Sequence, residues 1–350
     1  MKPLVSLLWP RGAPGRHSPE IRLGAGASAD LELDEIVQAL TGGEGARSSF
    51  VMSVLMELGT DRKVIVYRQQ VIADLLEDHR LRERLGEILP LLVRRRQHRD
   101  PLSREPWSVT TVARRVAELE RYVEVAVRLH RALTEASPRG AALLGLRAHL
   151  DELTNAAQFK SLQKQLPKLR ATLNKVRSVT IGINVSESLE PGSATILSIS
   201  PEVIKGPASM LGKLLGRDAG VRGITPLHVT DWSPRDPLFN DMRNLIEKVV
   251  DPVARAIRRF TTVDAGSFSG LEPELSFLLN GVALIRRLRK ASLPVCRPEV
   301  APPDERVLCL EDGYSISLAL QVMSTGTDPE AVAAKSVVTN GIRFDQEQGR

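Results

Sequence analysis

The stretch FKSLQKQLPKLRATLNKVRSVTIGINV, residues 159–185, changes its period part-way along, and that change decides the fold. Leu162, Leu166, Leu169, Leu173 and Val176 recur at helical intervals, forming one apolar seam. At about 100° per residue, Lys160, Lys164, Lys168 and Lys175 fall on the opposite face. Pro167 kinks such a helix without exchanging its faces. From Val179 the pattern becomes strand-like. Val179 to Val185 and Thr195 to Ile199 read as two strands turning at Glu190, Pro191 and Gly192, so the sequence predicts a β-hairpin at the end of a long basic helix.

Outward from this segment, helical periodicity dominates. Asp30 is placed to cap a helix carrying Leu31, Leu33, Ile36, Val37 and Leu40, which stops at Gly42 and Gly43. A second helical stretch runs from about Asp61 towards Leu92. A third starts near Thr110, with Val112, Val116, Leu119, Val123 and Val127 inward and Arg114, Arg121 and Arg128 outward. Helical spacing returns from Met242 to Ile257 and from Leu271 to Leu288. Past Pro294, Val307 to Leu310 and Ser315 to Val322 read as short strands. The expected fold class is therefore mainly α: a multi-helix assembly with long helices, a small β-hairpin insert and a short C-terminal β region. The expected divisions are an irregular leader (1–29), a helical core (30–152), a basic helix with hairpin and loop insert (153–238), returning core helices (239–292) and a C-terminal segment (293–350).

The charge is concentrated. The 350 residues hold 48 Lys and Arg against 42 Asp and Glu, yet residues 153–186 contain no acid. That window carries Lys160, Lys164, Lys168, Arg170, Lys175 and Arg177, so the basic residues elsewhere only balance the acids. An excess confined to one helix is either an electrostatic footprint for a polyanion or a solvated face. Lys205, Lys213 and Arg217, in the Gly- and Pro-containing insert at 201–237, extend the basic candidates.

Several chemistries lack their residues. Cys296 and Cys309 supply neither a disulfide framework nor a zinc-ribbon spacing, which fits a reducing cytoplasm. No apolar run reaches the roughly 18 residues of a spanning helix, so a soluble chain without a membrane partner is expected. The six histidines form no His-x-x-x-His pair, and no Gly-x-Ser-x-Gly elbow appears. Acid pairs such as Asp34 with Glu35 and Glu77 with Asp78 read as surface charges on amphipathic helices. Gly206-Pro-Ala-Ser-Met-Leu-Gly212-Lys213-Leu214 has one residue too many between its glycines for a phosphate loop, and leucine where Ser or Thr would hold magnesium. No catalytic residue, metal ligand or cofactor site is identified.

Taken together, the chain resembles the connector, lever and core region of the bacterial MutS-related ATPases. Asp30-Leu-Glu-Leu-Asp-Glu-Ile36 is similar to the family's entry into its helical core, and Tyr67-Arg-Gln-Gln-Val-Ile-Ala-Asp-Leu75 looks like its "YRQ" helix. Phe159-Lys-Ser-Leu162 and the following hairpin fall where the family's lever helix meets its DNA-facing end. Pro298-Glu299 and Tyr314-Ser-Ile-Ser-Leu-Ala-Leu320 resemble the strand region opening the ATPase domain, and Val337-Val-Thr-Asn-Gly-Ile342 resembles the segment before its first nucleotide-binding strand, with Gly341 in place of the usual acid. No Phe-x-Glu mismatch wedge is found. The resemblance implies DNA as partner, a role in DNA repair, either mismatch repair or another DNA transaction, and an ATPase domain that starts within residues 293–350 and is truncated at Arg350, to which ATP and magnesium would bind and through which a homodimer would form. DNA contact is expected at Lys160, Lys164, Lys168, Lys175, Arg177, Lys205, Lys213 and Arg217. A mechanical or dimerisation scaffold for such an ATPase, without DNA contact, is the alternative.

The purified chain is expected to give background ATP turnover in a phosphate-release assay. Turnover abolished by Lys213→Ala would establish a working phosphate loop at 206–214 and contradict this reading.

Overall fold

The computed structural model describes residues 5–10, 22–96, 109–185, 187, 191–202, 237–263, 267–302, 304–325 and 337–345. The chain divides into two compact units. The first comprises Met1–Arg99, Glu124–Asn155 and Gly266–Arg350, and the second Asp100–Val123 and Ala156–Ala265.

The first unit is organised by one helix. Asp61 accepts a hydrogen bond from the Lys63 backbone N–H at 2.8 Å, satisfying a free donor of the first turn of α4 (Arg62–Glu77). Val64, Tyr67, Val71, Asp74 and Leu75 are its buried residues. Its polar side chains reach three distant segments. Tyr67 donates its hydroxyl proton to the Ser6 carbonyl at 2.7 Å, and Arg68 Nε donates to the Leu8 carbonyl at 2.9 Å. Gln69 Nε2 donates to the Pro298 carbonyl at 2.9 Å, while Gln69 Oε1 accepts from Arg297 Nε at 3.2 Å. Asp74 accepts from the backbone N–H groups of Arg139 at 3.1 Å and Gly140 at 2.8 Å, and Gln70 Oε1 accepts from that of Ala141 at 3.4 Å. The start of α7 (Ala141–Asn155) is thus capped by side chains of another helix.

The N-terminal segment is part of this core. Val5, Leu7 and Leu8 are buried, and Ser6 Oγ lies 2.9 and 3.0 Å from the two carboxylate oxygens of Glu274, itself only 2% exposed. Leu7 N–H donates to the same carboxylate at 2.6 Å. Trp9 lies beneath the Arg68 guanidinium, 5.1 Å from ring centroid to carbon, and its indole N–H donates to Glu57 at 3.4 Å. Burial pulls the Arg68 guanidinium below its ordinary value, and Glu57 and Glu274 oppose that shift. The expected irregular leader is corrected accordingly: residues 5–9 are packed, and Ala25–Asp30 forms a short helix, α1.

Other boundaries also move. Asp30 ends α1 instead of capping the next helix, and α2 (Leu33–Thr41) begins after Glu32 in a left-handed conformation. Gly42 and Gly43, at φ of 63° and 84°, stop α2 as the sequence predicts. α3 (Gly45–Leu55) follows and packs on it. The stretch from Asp61 to Leu92 is two helices, because Asp78 leaves helical geometry and its side chain caps α5 (His79–Arg96) by accepting from Leu81 N–H at 3.0 Å. Asp78 is a cap and not a surface charge. α6 (Val109–Ala136) contributes residues to both units; Val112, Val116, Leu119 and Val123 are buried, but Val127 is exposed.

α10 (Leu271–Lys290) packs against α2, α4 and α5, with Leu271, Leu275, Leu278, Val282 and Leu288 inward. Acids in its first turn and Arg287, Arg289 and Lys290 in its last complement its dipole. Beyond it, β3 (Leu308–Gly313) pairs antiparallel with β4 (Asn340–Phe344). Ser315 to Val322 is not a strand. It belongs to α11 (Ile316–Thr325), whose N-terminus is capped by Ser315 Oγ accepting from Leu318 N–H at 3.2 Å. Ala319 and Met323, four apart, are buried with Leu288, Ala291, Leu293 and Val337.

The second unit holds the first part of α6, α8 (Ala157–Leu173), the hairpin β1 (Ser178–Val185) and β2 (Pro191–Ser200), and α9 (Pro237–Arg258). α9 packs on both α8 and β2. Tyr122 and Phe159 meet edge to face with centroids 6.0 Å apart, while Val250, Val253 and Ile257 are buried from α9. The mainly helical class with small β additions holds throughout.

A Cβ at Gly140 would lie 2.7 Å from the Asp74 carboxylate and 3.3 Å from the Gln70 backbone, whereas one at Gly281, inside α10, meets nothing within 4 Å. Gly140→Ala is expected to destabilise by about 1–3 kcal/mol, and Gly281→Ala to stabilise by about 0.5–1 kcal/mol. Urea melts of both variants check this; equal effects would remove the role assigned to the Asp74 cap.

Candidate nucleic-acid interface

α8 forms because its apolar residues share one stripe. Phe159, Leu162, Leu166 and Leu169 are buried along it, and Pro167 is accommodated within the helix on its exposed side. The seam weakens towards the C-terminal end, where Leu173 and Val176 are half-buried. Asn174 ends the helix, its N–H bonded to the Arg170 carbonyl at 2.9 Å. The expected row of ammonium groups is therefore divided. Lys160, Lys164 and Lys168 stand exposed on the helix, while Lys175 and Arg177 stand exposed on the connection to β1. Arg177 N–H donates to the Ser200 carbonyl at 2.9 Å, tying that connection to the base of the hairpin.

Arg170 faces an acid of a neighbouring helix. Its Nε lies 3.6 Å from Glu120 on α6, with both side chains partly exposed. Burial pushes the Glu120 carboxyl above its ordinary value, and the Arg170 charge acts in the opposite direction. Arg170 is thus engaged within the unit. Lys205, Lys213 and Arg217 lie outside the described residues.

The hairpin pairs Val179 with Ile199, Ile181 with Ile196 and Ile183 with Ala194. β2 starts at Pro191, so Pro191 and Gly192 lie in the strand and not in the turn expected of them. Between the pairs Thr180–Ser198 and Ile181–Ile196 the register shifts, leaving Leu197 as an extra residue.

Arg115 was not legible as a structural residue. It is buried, donating to the Val263 carbonyl at 2.9 Å and the Phe260 carbonyl at 3.4 Å, with Glu118 3.2 Å away. Two adjacent arginines, Arg114 and Arg115, offered a sequence signal, since the second falls beside Val112, Val116 and Leu119 on the buried face. The expected outward row behaves as a surface: Arg128 pairs with Glu124 at 2.8 Å, and Arg121 bonds the Ala117 carbonyl within its own helix.

Among the described residues, no group of His, Cys, Asp and Glu could hold a metal ion, and no helix is long and apolar enough to cross a membrane.

A family model described as the MutS2 N-terminal domain matches residues 60–291, which include α4, the basic helix, the hairpin and α10. The chain belongs to the MutS2 N-terminal domain family. No curated protein and no solved structure matches it. As a MutS2-type helical lever and core region, it carries the resemblance expected from the Tyr67 segment. One part of that resemblance is corrected: within Tyr314 to Leu320, taken as strand, Ile316 to Leu320 are helical and Ser315 caps them.

Because the lysines of α8 lie opposite its buried seam, Lys164→Gln and Lys168→Gln are expected to leave stability within about 0.5 kcal/mol. Arg115→Met, which orphans two buried carbonyls, is expected to cost about 2–3 kcal/mol. Thermal melts separate the two classes; a loss at the lysines equal to that at Arg115 would contradict the assigned surface.

Proposed function

We propose that this MutS2-family lever and core region binds DNA through its phosphate backbone, using α8 and the base of the hairpin, and couples that contact to an ATPase domain of its parent protein. The observation that carries the reading is the row Lys160, Lys164, Lys168, Lys175 and Arg177, exposed within a window of 34 residues that holds no acid. Ammonium groups on the solvent face of a packed helix neutralise phosphates without reading bases. A chain with 4% aromatic residues offers few stacking platforms, which favours duplex backbone over single strands. Lys205, Lys213 and Arg217 would add to the same contact. Dimerisation would rest on the ATPase domain, and the setting would be cytoplasmic DNA repair.

Replacing Lys160, Lys164, Lys168 and Lys175 together by Gln is expected to lower the slope of log K against log salt by about 3.6 on duplex DNA. The control replaces Arg128, Arg131 and Arg255, each paired with an acid four residues away in its own helix. An equal loss in both variants would assign binding to net charge. Salt-independent or absent binding by the unaltered chain would favour a mechanical scaffold.

A further inference from the structure

We propose that Leu197, the extra residue of the bulge between Ile196 and Ser198, is an apolar wedge that presses against a base step in the minor groove of the bound duplex. This rests on the DNA-binding reading above and adds to it a contact that phosphates cannot supply. The register of the hairpin assigns the position. Thr180 pairs with Ser198 and Ile181 with Ile196, so Leu197 has no partner across the ladder. A bulge bends its strand and re-aims the side chain it carries.

The leucine is 65% exposed, although the half-buried Ile181, Ile196 and Ile199 show that the hairpin has an apolar side available. Its side chain lies across Gly182: a Cβ there would sit 3.1 Å from Leu197 Cδ1 and 3.4 Å from Cγ. Glycine at 182 leaves the leucine room to lie over the strand. The exposed neighbours are Thr180, Thr195, Ser198 and Asn184, all uncharged groups able to bond phosphate or sugar oxygens. Acids lie only towards the ends of the hairpin: Glu187, which is exposed, and Glu190 fall in the segment joining the strands, and Glu202 is exposed at the base. The contact face is therefore the middle of the two strands, next to the cationic connection at Lys175 and Arg177. An exposed leucine among hydroxyls, beside cations, has the chemistry of side chains that partly unstack a base step while polar groups hold the backbone. Pyrimidine–purine steps, which unstack at least cost, are the expected targets.

The test uses the purified chain and a linear duplex carrying 2-aminopurine beside a TA step. The unaltered chain is expected to raise 2-aminopurine fluorescence on binding. Leu197→Ala is expected to abolish that rise and weaken binding on the order of tenfold, with the salt slope unchanged. Leu197→Met, which keeps the apolar bulk, is expected to restore both signals. Binding and salt slope intact in the unaltered chain, with no fluorescence rise or with Leu197→Ala indistinguishable from it, would overturn the wedge and leave phosphate binding standing. Absence of duplex binding by the unaltered chain would overturn both.

Discussion

A buried carboxylate, that of Glu274, fixes the first unit. A charge taken out of water is costly unless hydrogen bonds replace its hydration, and here the donors come from a segment far away in sequence, Ser6 and Leu7. Once that segment is seated, its carbonyls need donors of their own. Tyr67 and Arg68, one helix away, supply them at Ser6 and Leu8. The N-terminal segment, α4 and α10 are thereby joined through polar groups, and Val71, Leu75, Leu275 and Leu278 of the same two helices are buried. Removing one partner would strand the others, the situation in which a buried polar network becomes expensive.

The second unit follows a different logic. Its core is apolar, assembled from one stripe each of α6, α8 and α9, and the buried Arg115 ends on backbone carbonyls at the turn after α9. Such a core leaves the outer face of α8 unconstrained by packing. Lysines can occupy it without loss of stability, and acids are absent from it.

Much of this was legible in the sequence where local spacing carries the information. The leucine seam of α8, the opposite placement of Lys160, Lys164 and Lys168, the hairpin and the glycine stop after α2 all follow from intervals of a few residues. What was not legible depends on partners remote in sequence or on single side chains that override a pattern. Val5 to Trp9 look like an irregular leader until Glu274 and Tyr67 are seen beside them. The alternation of Ser315 to Val322 suggests a strand, yet Ser315 as a cap and the burial of Ala319 with Met323 make it a helix. Asp78 resembles the other surface acids, but its position between two helices makes it a cap. The Tyr67 segment stood out as a family signature; the structure supplies its reason, since Tyr67, Arg68, Gln69, Gln70 and Asp74 bond to three separate segments.

The account's central claim is that the phosphate-binding surface is the outer face of α8 together with the base of the hairpin. Acetylation footprinting by mass spectrometry, with and without duplex DNA, tests it residue by residue. Protection of Lys164, Lys168 and Lys175, with unchanged reactivity at the exposed Lys63 and Lys248, is the result the account predicts. Uniform protection of all lysines, or protection elsewhere with α8 unchanged, would contradict it.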